Sequence, residues 1–305
     1  MSDAAGTRFL DTLAGRCDHY RSQFQAARDA ITEDSIHDLR VAARRLLAML
    51  DILRTVDSAA PVKKLHRFLK DQLDELDDLR DAQVMLLEMD RILDNIPQLA
   101  PIQIYEFQLH LEGGKADFMR RAAKDLGDSK PSDLEAHFQR LREVAEAHIR
   151  DELLCDKLLQ AVDQSQARVV SSLGNVDAAR PDTIHRVRIA FKNFRYMIEM
   201  VHPFLSSYPE RLLRSMHAYQ DAMGSIHDTT VFLDRLKEFE AGLLEHPADQ
   251  SHDFDPKKIE AYYRKRLARL IRDYLACKDG FYAFWRSSPD QPFPWQKAPR
   301  RAARN

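Results

Sequence analysis

The feature that most constrains this chain is a nine-residue pattern that occurs twice. Ile36-His37-Asp38-Leu39-Arg40-Val41-Ala42-Ala43-Arg44 returns 148 positions later as Ile184-His185-Arg186-Val187-Arg188-Ile189-Ala190-Phe191-Lys192. The residues in front match as well, Asp34-Ser35 against Asp182-Thr183, and all four are side chains that favour helix N-caps. At 100° per residue, His37, Arg40 and Arg44 fall within about 60° of one another. Leu39, Ala42, Leu46, Leu50 and Leu53 gather on the opposite side as a core-facing stripe. In the second copy His185, Arg188, Lys192 and Arg195 share one face, and Val187, Phe194, Ile198 and Val201 the other. A solvated face needs charge but no particular identity. Two helices that repeat His, then Arg, then Arg or Lys at the same intervals therefore mark a site.

The likeness continues at a shift of 147. Lys64, Arg67 and Lys70 correspond to Arg211, Arg214 and His217, and Leu79-Arg80-Asp81 with Val84 to Ile226-His227-Asp228 with Val231. This divides the chain into one unit of about four helices at 1–128 and a second at 129–286. Two departures weaken the first copy as an anion binder: Leu47 stands where the second has Arg195, and Asp77 where it has Gly224. Residues 287–305 carry four prolines and then Arg300, Arg301 and Arg304, and read as a mobile basic tail.

Everything else fits an all-α chain. Only 9 of 305 residues are Gly, apolar positions recur at helical spacing, and strand alternation is missing. Phe9, Leu10, Leu13, Tyr20 and Phe24 are candidate core positions of the first helix. Gly113-Gly114 is expected to interrupt the fourth, and Gly127-Asp128-Ser129-Lys130-Pro131 to form the linker between the copies. The net charge is only −2, so any anion site must come from local clustering. Three widely spaced cysteines without a CxxC pair argue against a disulfide framework or a cysteine metal site. No apolar run is long enough to span a bilayer and no leader pattern is seen, so a soluble cytoplasmic protein without a membrane partner is expected.

The two HxxRVxxRR-like helices and the later Arg80-Asp81 and Val84 element resemble the CHAD domain, the conserved-histidine α-helical domain. The resemblance runs over nearly the whole chain to about residue 286. It implies two four-helix bundles related by pseudo-twofold symmetry, with a basic groove or pore between them. It also implies binding of inorganic polyphosphate and, in some members, association with polyphosphate granules. Polyphosphate presents a line of anionic oxygens, which arginine forks grip in pairs and lysines meet as point charges. The expected contacts are His37, Arg40, Arg44, Arg45, His185, Arg188, Lys192 and Arg195, extended by Lys64, Arg67, Lys70, Arg211 and Arg214. The acidic residues from Asp71 to Asp81 follow the first of these extensions closely and are placed to neutralise it.

Other readings are poorer. Glu199-x-x-His202 is a lone di-iron-type pair with no mate in the other copy, so no metal or other cofactor is expected. Asp77-Asp78-Leu79-Arg80-Asp81 spells the DDxxD motif of Mg-dependent all-α isoprenoid synthases, but the second copy supplies no partner motif. His227-Asp228 resembles the HD pair of metal phosphohydrolases without its spaced partners, and reads as coincidence. A nucleic-acid-binding helical protein would add stacking aromatics to the stripe, where only Tyr196 is available. The expectation is a non-catalytic polyphosphate binder.

Overall fold

Residues 2–56, 60–96, 99, 102–129, 131–147, 154–205, 208–245 and 256–296 are described by a computed structural model. The apolar stripes become nine α-helices among these residues, with no strand. They are α1 (Ser2–Asp29), α2 (Glu33–Val56), α3 (Ala60–Asn95), α4 (Ile102–Asp128), α5 (Pro131–Ala147), α6 (Leu154–Gly174), α7 (Pro181–Val201), α8 (Glu210–Glu245) and α9 (Pro256–Cys277). No described helix is long and apolar enough to cross a membrane.

The repeated helices begin slightly earlier than their caps suggest. Thr32 caps α2: its hydroxyl accepts from the Ser35 N–H at 3.1 Å while the Ser35 hydroxyl accepts from the Thr32 N–H at 2.9 Å. On α7, Pro181 takes the first turn, where its missing N–H costs nothing. The Thr183 hydroxyl ties the preceding turn, donating to the Arg180 carbonyl at 2.6 Å. Gly113 and Gly114 do not break α4, which runs through them. Each Gly costs a helix about 1 kcal/mol, and packing through Ile104, Phe107, Leu111, Ala122 and Leu126 outweighs that.

Neighbour order is the same in both halves. α1 packs on α2, α2 on α3 and α3 on α4, and α6 on α7, α7 on α8 and α8 on α9. Across the halves α2 packs on α7 and α3 on α8. Two of the cross-contacts are reciprocal. Arg45 Nε on α2 lies 3.5 Å from Glu199 on α7. Asn193, which stands 148 after Arg45, donates to Asp51, which stands 148 before Glu199, at 3.2 Å. α5 sits outside this scheme and belongs with the first half. It packs on α1 and α3, with Phe138 edge-on to Tyr20 and Glu135 paired to Arg21 at 2.8 Å.

The interior does not divide where the sequence does. One apolar cluster gathers α1, α2, α5, α6, α7 and the N-terminal parts of α3 and α8, with Leu46, Leu50, Phe191, Phe194 and Trp285 among its members. The other gathers the far ends of α3 and α8 with parts of α4 and α9, around Ile92, Phe107, Phe232, Leu236 and Tyr263. Both draw on both halves. Residues 287–296 are docked on the body: Trp295 meets Tyr208 edge-on at 4.6 Å, and Phe293 meets Trp285 at 4.9 Å. Asp163 fastens the turn before them, accepting from Trp285 Nε1 at 2.7 Å and Arg286 Nη2 at 2.6 Å. Arg300, Arg301 and Arg304 of the expected tail lie outside the described residues.

Candidate functional site

The packing of α2 on α7 and of α3 on α8 brings cations from both copies into one half-buried seam. Arg40 is buried, and Arg44, Arg188 and Lys192 are partly so. Helical spacing puts Arg40 and Arg44 one turn apart on α2, and Arg188 and Lys192 one turn apart on α7. Their apolar opposite faces, Leu39, Leu46 and Leu50 on α2 and Val187, Phe194 and Ile198 on α7, are fully buried and fix the rotation of both helices.

The charges affect one another strongly. Burial, then Arg44 and Arg188, pushes the Lys192 ammonium down to about 6. Burial and Arg40 lower Arg44 to about 10. The His185 and His227 rings lie 4.3 Å apart between centroids. Both are pushed below the ordinary imidazole value by burial and by Arg188, His227 to about 4. Burial also raises the carboxyls of the seam, Asp81 to about 6 with help from Asp77 and Asp228, and Asp228 itself upward. Desolvation thus opposes charge of either sign here. Burial alone would raise Asp77 too, but the Arg44 and Arg40 guanidiniums outweigh it and hold that carboxyl below its ordinary value.

The two copies satisfy their cations differently. Asp77 Oδ1 accepts from Arg40 Nε at 3.0 Å, Arg40 Nη2 at 2.5 Å and Arg44 Nη2 at 2.7 Å. No hydrogen bond or ion pair reaches Arg188 or Lys192 among the described residues, and Arg188 Nε and His185 Nδ1 are buried without a partner. Buried polar atoms left in this way are rare and costly, since they have given up water and gained nothing.

The remaining expected contacts lie elsewhere. Arg45 and Arg195 are directed to Glu199, which also lies 3.9 Å from His217. Arg195 further donates to Gln220 at 2.9 Å and rests over the Tyr196 ring at 4.2 Å. A carboxylate one turn along α7 thus captures Arg195. His37 is exposed near the start of α2, Lys64, Arg67 and Lys70 are exposed on α3, and Arg211 and Arg214 are exposed on α8. Sequence reasoning passed over His227 and Asp228 as an accidental pair, and both face the seam. Their alignment with Arg80-Asp81 at the shift of 147 was the available signal.

Comparison with known proteins agrees with this architecture. The solved CHAD domain from the plant Ricinus communis matches with a TM-score of 0.69 at 20% identity, over 91% of each chain. PptA from Streptomyces chartreusis matches with a TM-score of 0.60 at 13% identity, over 90% of this chain and 97% of that one. At such identities the likeness is one of fold. No curated protein sequence matches. The sequence profile of the CHAD domain matches residues 12–237, most of the length, and the chain belongs to the CHAD domain family.

Proposed function

We propose that this protein binds inorganic polyphosphate without catalysing a reaction on it, in the cytoplasm and on polyphosphate granules. The observation that carries the reading is the unpartnered basic group of α7. Arg188 Nε and His185 Nδ1 are buried without hydrogen bonds beside Lys192, which also lacks a partner among the described residues. A phosphate chain would supply the missing acceptors and favour the charged forms of Lys192, His185 and His227. The family resemblance points to the same ligand.

One feature disfavours the DDxxD reading: the Asp77 oxygen that such a metal site would use already accepts from two guanidiniums. The deciding experiment is calorimetric titration with long-chain polyphosphate and with duplex DNA of equal charge. Tight polyphosphate binding that weakens with salt and is lost in the Arg188→Ala/Lys192→Ala double variant supports the reading. Equal affinity for DNA would replace it with a nucleic-acid function. Turnover of allylic diphosphates with Mg²⁺, abolished by Asp77→Ala, would replace it with an enzymatic one.

A further inference from the structure

Equivalent positions on α3 and α8 make opposite provision for an anion. Asp77 stands 147 residues before Gly224, and Arg40 and Arg44 stand 148 before Arg188 and Lys192. In the first half the cations share one carboxylate oxygen at 2.5–3.0 Å. In the second half the corresponding carboxylate is missing, and a side chain could begin there without a clash. A Cβ built on Gly224 would meet nothing nearer than Arg188 Nε at 3.9 Å. Asp81 and Asp228 lie within electrostatic range of Arg188, yet neither forms an ion pair with it.

We propose that Asp77 is a built-in stand-in for a phosphoryl oxygen, which closes the first-half position of the seam and directs condensed phosphate to the second-half position around Arg188, Lys192, His185 and His227. One oxygen accepting from two guanidiniums reproduces the charge-assisted contacts a phosphate oxygen would make. A ligand gains Arg40 and Arg44 only by displacing Asp77 and breaking those bonds. At Arg188 it meets donors that have no partner. Asp77 is therefore a specificity-determining residue, setting both the place and the strength of binding. The inference rests on the seam being a condensed-phosphate site, but the asymmetry it predicts extends to any small phosphate anion.

The test uses the full chain and inorganic tripolyphosphate, with wild type, Asp77→Asn and Gly224→Asp compared by calorimetry and by the anion-induced rise in Tm. Asparagine keeps the size of the side chain and removes its charge, so affinity rises about tenfold and the Tm gain exceeds that of wild type. Gly224→Asp places a second carboxylate beside Arg188, and affinity falls about tenfold. That variant retains the test if Asp77→Asn fails to fold. Equal affinities in all folded variants, or weaker binding by Asp77→Asn, overturn the assignment. If long-chain polyphosphate does not bind wild type while the two variants still shift tripolyphosphate binding in opposite directions, the polyphosphate function falls and the role of Asp77 stands.

Discussion

His185 and His227 face each other ring to ring at 4.3 Å, on helices that each place them beside Arg188. Burial and the nearby guanidinium disfavour protonation of both imidazoles. An anion placed among them reverses the preference. Binding and protonation are therefore linked, and each should report on the other.

Proton uptake is the direct consequence. At pH 7.5, Lys192 and His227, held at about 6 and about 4, are mostly neutral in the free protein. Polyphosphate binding raises both, so protons are taken up and affinity increases as pH falls from 8 to 6. Calorimetry in two buffers of different ionisation enthalpy measures the uptake. Buffer-independent heats would remove the histidines and Lys192 from the contact.

Lys192 also sets the alkaline stability of the free protein. Its folded value of about 6 lies below the ordinary 10.5, so between them the unfolded chain binds the extra proton. The contribution to stability is present above the unfolded value and lost as pH falls toward 6. Tm is expected to rise from pH 7 to 9 in wild type and to rise less in Lys192→Met. His227 acts in the same sense between about 6.5 and 4, where Asp81, raised to about 6, opposes it. Above pH 7 the lysine dominates, and the buried Cys17 thiol, raised from 9.0 to about 12, opposes it only as pH nears 9.

Affinity should depend on position within the stripes and not on charge alone. Arg188→Ala removes an unpartnered buried donor and is expected to weaken polyphosphate binding by about 10- to 100-fold. Lys64→Ala or Arg67→Ala removes an exposed charge on α3 and changes affinity by less than about threefold. Titrations at one fixed salt concentration separate the two cases. Equal losses would mean a diffuse electrostatic surface.

Glu199 is a stability residue. It pairs with Arg195, which is 5% exposed in its side chain, and approaches Arg45 from the other half. Glu199→Ala leaves these cations partly buried without their carboxylate and should cost about 3–5 kcal/mol in denaturant unfolding. The Glu199→Ala/Arg195→Met double variant should recover much of that loss, because it removes the stranded charge along with its partner.

The helices and the residues that meet in the seam were legible because periodicity and repetition are local properties of the string. Arg40, Arg44, Arg188 and Lys192 were found through the apolar stripes behind them, which decide which way each helix faces. What the string conceals is which long side chains are already satisfied. Asp77 is 37 positions from Arg40, and only the packing of α2 on α3 reveals that it has captured two arginines. Glu199 captures Arg195 one turn away on its own helix, a pairing that helical spacing permits but does not require. The duplicated motif also suggested equal histidines, whereas His37 is exposed and His185 is half-buried. Equal spacing fixes direction along a helix and leaves depth to the neighbours.

The crossing of the interior through both halves has a consequence for how this molecule could be taken apart. α3 and α8 each lend one end to either apolar cluster, so a half-chain severed near residue 130 would leave parts of both clusters uncovered. Two severed halves should aggregate alone and reassemble when mixed, with a yield that depends on concentration. The covalent link replaces that second-order encounter with a tether. It also lets the halves differ, and the first carries at Asp77 a carboxylate where the second has Gly224.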